Sequence, residues 1–87
     1  MEMKNPVKRI RDELDLSQQE LAILADVAIN TVRNAEQGLT SELNEEVLSA
    51  IEQLGYEPDE IKEDYKKWRK ELKEDIIKRK GKGGEEN

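Results

Sequence analysis

Apolar residues recur along this chain at helical intervals and never with the alternation of a strand. Val7, Ile10 and Leu14 lie three and four apart, the period that gathers side chains on one face of an α-helix. Asn5-Pro6 just before them is a cap followed by proline at a first helical position. A first helix is therefore expected over about Pro6 to Leu14. Ser17-Gln18-Gln19-Glu20 has the spacing of a capping box, in which serine accepts from a backbone N–H and glutamate reaches back. It opens a second helix to about Ala25 that buries Leu21, Ala22 and Ala25. Asp26-Val27 is a short connection. A third helix should run from near Ala28 to just before Gly38, a glycine placed to end it, with Val32 and Ala35 inward. Several residues from Thr40 to Asn44 are able to cap a fourth helix, and the pattern does not choose among them. That helix carries Leu43, Val47, Leu48, Ile51 and Leu54 and stops at Gly55. Pro58 opens a fifth, reaching about Lys80. Gly81 to Asn87 is glycine-rich and charged, and a disordered tail is expected there. The fold class is all-α, a compact bundle of four to five helices with a long C-terminal helix. The expected division is 1–57, 58–80 and a tail at 81–87.

Composition narrows the chemistry. The 87 residues include no Cys and no His, which removes disulfides, thiolate metal sites and the commonest general base and metal ligand. With no nucleophile–base pair in view, an enzyme is not expected, nor any cofactor or metal. Glu57, Asp59, Glu60, Glu63 and Asp64 lack the glycine turn and alternating ligands of a calcium loop, and read as solvated acid at a helix N-terminus. No apolar stretch is long enough to span a membrane, and the polar N-terminus has no apolar signal segment. A soluble, cytoplasmic protein is expected. The net charge of −6 is unevenly spread. Residues 39–64 hold Lys62 against nine acids, whereas residues 65–87 hold nine bases and five acids. Local fields, not the total, decide whether a face approaches an anion.

The most informative stretch is Leu16-Ser17-Gln18-Gln19-Glu20-Leu21-Ala22-Ile23-Leu24-Ala25-Asp26-Val27-Ala28-Ile29-Asn30-Thr31-Val32-Arg33-Asn34-Ala35-Glu36-Gln37-Gly38. It resembles, without a gap, the Cro/C1-type (XRE) helix-turn-helix family. The family pattern is Leu-Ser/Thr-Gln-x-x-Leu-Ala, three residues, Gly-Val-Ser, then a helix ending Glu-x-Gly. Leu48, Ile51 and Leu54-Gly55-Tyr56 extend the likeness, which covers roughly residues 7–61. It implies a lambda-repressor-like fold and binding to double-stranded DNA. One helix braces across the backbone while the next lays its first turns in the major groove. Small Ala22 and Ala25 suit a close crossing, and Val27 plugs the turn.

The resemblance also implies roles. Gln18 sits where family members contact phosphate and support the recognition helix. Ala28, Ile29 and Asn30 fall where they touch bases, Thr31 faces backbone or base edge, and Arg33 and Asn34 lie one turn on. Glu36 matches a structural glutamate. The side chains fit these roles: asparagine pairs bidentately with adenine, arginine with guanine, and Ala or Ile meets a thymine methyl. Ser17 and Gln18 head the second helix, whose N–H groups suit phosphate, and Lys4, Lys8, Arg9 and Arg11 offer charge beside the duplex. Three positions depart from the family. Asp26 replaces the turn glycine, at a place where φ is often positive, which Asp tolerates better than most. Ala28 replaces a capping serine. Ala35 replaces a residue that is often aromatic, leaving volume to be filled.

Ile61, Tyr65, Trp68, Leu72 and Ile76 form one apolar seam on the fifth helix, about 30 Å long. Two placements are open. The seam pairs with a second copy as a dimerisation element, favoured because so long a helix exceeds what a small domain needs. Alternatively Trp68 and Leu72 fold back as a lid, filling the space at Ala35. A basic amphipathic helix on a membrane surface is disfavoured by Glu71, Glu74 and Asp75. Their spacing gives Tyr65 and Trp68 to core or seam rather than base stacking. Ile23 and Leu24, adjacent and large where the family is polar, suggest a contact surface for the fifth helix or a partner. The expected function is a homodimeric transcriptional regulator, a repressor of phage, plasmid or bacterial origin. The alternative is a protein-interaction module that kept the fold, with an antirepressor, toxin or polymerase as partner.

Overall fold

In a computed structural model, which describes residues 3–82, the chain forms five helices: α1 (Pro6–Leu14), α2 (Gln18–Ala25), α3 (Ile29–Gln37), α4 (Glu45–Gln53) and α5 (Pro58–Lys80). No strand occurs among the described residues. Local signals set the helix starts. The Asn5 side chain accepts from the Val7 and Lys8 amides at 2.9 and 3.0 Å. Ser17 and Glu20 close the capping box in both directions. Asn44, out of the several candidates, caps α4 by accepting from the Glu46 and Val47 amides.

The first four helices end in one way. Asp15, Asp26, Gly38 and Gly55 all have positive φ. The residue after each donates its N–H to a carbonyl five back: Leu16 to Arg11, Val27 to Ala22, Leu39 to Asn34 and Tyr56 to Ile51. This is the Schellman closure, which satisfies carbonyls left over at a helix end. Asp26 at φ 59° takes the conformation expected there. Asp15 at φ 54° does the same at the end of α1.

A single core joins the helices. Val7 and Ile10 of α1, Leu21 of α2, Val32 of α3, and Val47 and Ile51 of α4 are fully buried. Ile61, Tyr65 and Trp68 of α5 belong to the same cluster, so this core crosses the expected division at residue 57. Ile61, Tyr65 and Trp68 are covered by their own chain, and half-buried Leu72 packs at the edge of that core. Ile76 remains exposed. The physical reason is room: α3 ends at Gly38, where a Cβ would lie 2.7 Å from Leu72 and 2.9 Å from Trp68. The two side chains settle into the space that a missing Cβ leaves. Among the described residues, none after Leu72 is buried. The last turns of α5 therefore project, and the chain measures 45 × 23 × 22 Å. No helix among the described residues is long and apolar enough to cross a membrane. Of the expected tail, Gly81 and Lys82 continue past α5, and residues 83–87 lie outside the described residues.

Candidate nucleic-acid interface

Helix α3 is held from inside and bare outside. Its inner stripe is Val32, Ala35 and the nearly buried side chain of Glu36. Glu36 Oε2 accepts from Arg11 Nε at 2.5 Å, and Oε1 accepts from Arg11 Nη2 at 2.9 Å. The Gln18 Nε2 amide donates to the same Oε1 at 3.0 Å. One carboxylate thus ties α1, α2 and α3 through a bidentate guanidinium and an amide. The Arg11 guanidinium is pushed above its ordinary pKa, chiefly by the hydrogen bond to Glu36. Arg11 Nη1 also donates to the Leu16 carbonyl at 3.0 Å, fixing the turn between α1 and α2.

The outer face carries Asn30, Arg33 and Asn34, all exposed. They sit one turn apart on one side of the helix. Arg33 Nη1 donates to Asn30 Oδ1 at 3.3 Å. Thr31 is half-buried, and Ile29 packs against the core with part of its surface open. Ala28 is exposed and extended, and gives α3 no side-chain cap. Among the described residues no side chain accepts from the first N–H groups of α3, which leaves donors and the positive end of the helix dipole facing outward. Ser17 is committed at its oxygen, which accepts from the Glu20 amide at 2.9 Å.

The expected positive rim is mostly neutralised. Lys4 pairs with Asp12 at 2.6 Å, Arg9 with Asp64 at 3.3 Å and Arg11 with Glu36. Of the four bases expected beside the duplex, Lys8 alone has no ion pair among the described residues. Gln18 divides its expected role, because its amide supports α3 through Glu36. Ile23 and Leu24 stay 70% and 45% exposed, so the fifth helix leaves them uncovered.

Sequence reasoning placed Arg11 on the surface and missed it as the partner of Glu36. A signal existed. Arg11 lies four residues after buried Val7, and Glu36 four after buried Val32, so both fall on inward stripes. Opposite charges directed into one core need each other.

These features have a counterpart among known proteins. Residues 7–61 match the family model described as Helix-turn-helix. No curated protein and no solved structure gives a significant match to the chain. The matched span begins at buried Val7 in the first turn of α1 and ends at Ile61, the first buried residue of α5. It covers more than half of the sequence, and with the five-helix fold it shows that the chain belongs to the Cro/C1-type (XRE) helix-turn-helix family of DNA-binding transcription regulators.

Proposed function

We propose that the chain is a sequence-specific repressor that reads the major groove of double-stranded DNA with α3, as a homodimer. The observation that carries this reading is the contrast across α3: an inner face fixed by the Glu36 network and an outer face of unburied Asn30, Arg33 and Asn34. Rigid backing with free polar groups is what base readout needs. Asn30 and Asn34 are assigned to adenine, Arg33 to guanine, and Ala28 and Ile29 to thymine methyls. Thr31, Ser17 and the second N–H of the Gln18 amide are assigned to phosphate, with the uncapped start of α3. The second copy is assigned to the projecting end of α5, where Ile76 and Ile77 are exposed. Ile76 also lies on the apolar stripe of α5.

Selection from a random duplex library at low salt tests this reading directly. The expected product is a two-fold repeat with half-sites about 10 base pairs apart. Asn30→Ala and Asn34→Ala should each relax one position by about 1–3 kcal/mol with the fold intact. A uniform loss at every position would remove them from the bases. Sedimentation at high micromolar concentration should give a dimer, and a monomer would remove the second copy.

A specific observation also supports the protein-interaction alternative. Pairing of Lys4, Arg9 and Arg11 inside the chain leaves little free positive charge near α3, while Ile23 and Leu24 are open. Absence of any enriched duplex would favour it.

A further inference from the structure

The C-terminal end of α3 is closed by groups from outside the helix. Its last turn contains no basic side chain, although a cation there is favoured by the helix dipole. The cation comes from α5: Arg69 Nε donates to the Gly38 carbonyl at 3.1 Å. Trp68 and Leu72 lie over Gly38 so closely that no Cβ fits between them. One turn earlier, the Tyr65 hydroxyl donates to the Thr40 carbonyl at 2.8 Å. From the opposite side, Asn5 Nδ2 donates to the Ala35 carbonyl at 3.0 Å. Tyr65, Trp68, Arg69 and Leu72 all lie past residue 61, outside the family match.

We propose that Arg69, backed by Trp68 and Leu72, is a positioning residue that sets the lie of α3 without touching DNA. The inference rests on α3 being the reading helix. Arg69 is partly exposed, so its guanidinium is not needed to fill the core. Its bond to Gly38 joins the helix that reads to the helix that projects. A change in how α5 sits is transmitted to the end of α3 through one carbonyl and two apolar side chains.

Arg69→Met keeps the apolar stem and removes the charge and the donors. Arg69→Lys keeps the charge. In Arg69→Met, amide hydrogen exchange at Gly38 and Leu39 should quicken. Affinity for the selected duplex should fall about three- to tenfold, a single charged hydrogen bond's worth or less, with the salt slope unchanged. Arg69→Lys should recover part of both effects. Three results would overturn the proposal: unchanged exchange, faster exchange with unchanged affinity, or weaker binding with a shallower salt slope. The last would make Arg69 a direct phosphate contact. Wild-type protein that selects no duplex sinks the reading of α3 instead. Exchange at Gly38 and Leu39 in Arg69→Met then still decides whether the clamp exists.

Discussion

Removing the charge of Glu36 should cost more than any surface change in this chain. Its side chain is 7% exposed, and that of Arg11 is 12% exposed. The pair is desolvated and bidentate, unlike an exposed ion pair worth about 0–1 kcal/mol. Taking one partner from a buried pair leaves an uncompensated charge, at a cost of about 3–5 kcal/mol. The guanidinium keeps the Leu16 carbonyl and a little solvent, so the lower end, about 3 kcal/mol, is expected for Glu36→Gln. Arg11→Met should lose about as much, because Gln18 alone then faces the carboxylate. Domains of this size hold about 5–15 kcal/mol in total, so either loss is a large share. Arg11→Met combined with Glu36→Leu removes both charges and should return to within about 1 kcal/mol of wild type. The assay is urea unfolding, followed by fluorescence of Trp68, the one tryptophan in the sequence, and by circular dichroism. Coincident curves license the two-state comparison. Single losses below about 1 kcal/mol, or a double variant that costs the sum of the singles, would refute the argument that the two charges exist for each other.

Other expectations follow from backbone and surface. Gly38→Ala should destabilise by more than about 2 kcal/mol, because positive φ penalises any Cβ and Leu72 and Trp68 occupy its space; a melting curve matching wild type would contradict this. Asp26→Gly should be neutral or stabilising by up to about 1 kcal/mol, and should tighten low-salt DNA binding by removing an acid beside α3; weaker binding would assign Asp26 a positive role. The Tyr56 phenol is held above its ordinary pKa, first by its hydrogen bond to Glu13, then by burial and the Glu13 charge. A folded-state pKa above the unfolded one stabilises below the unfolded value and fades as pH rises through the folded one. Wild type should therefore lose stability above about pH 10 more steeply than Tyr56→Phe, and parallel alkaline unfolding profiles would count against the bond.

Helix starts were legible because their causes are local. Asn5-Pro6 and Ser17 to Glu20 carry their own caps, and the structure forms them where the sequence places them. The cap of α4 was not legible, since Thr40 and Asn44 are both capable. Thr40 is engaged with Tyr65, and buried Leu43 sets Asn44 at the helix start. The apolar stripe of α5 announced that something covers it without saying what. A stripe records burial, and a lid and a seam bury the same residues. The space above Gly38, which Trp68 and Leu72 fill, is not written in the stripe. The pairing of Arg9 with Asp64 was likewise hidden, because it joins residues 55 apart. Asp15 at positive φ could have been suspected from apolar Leu16 behind a helix end, the order that a Schellman closure uses.

The burial of Tyr65 and Trp68 bears on where this protein can be cut. A fragment trimmed to the family boundary at residue 61 would discard Tyr65, the largest fully buried side chain among the described residues, and the indole over Gly38. It would be left with an open apolar wound beside the very helix meant to be transplanted. The portable unit therefore runs from Asn5, whose amide holds α3, to Leu72. Beyond Leu72, no residue of α5 is fully buried, and a label, a tether or a fused protein attached there would leave the core as it is.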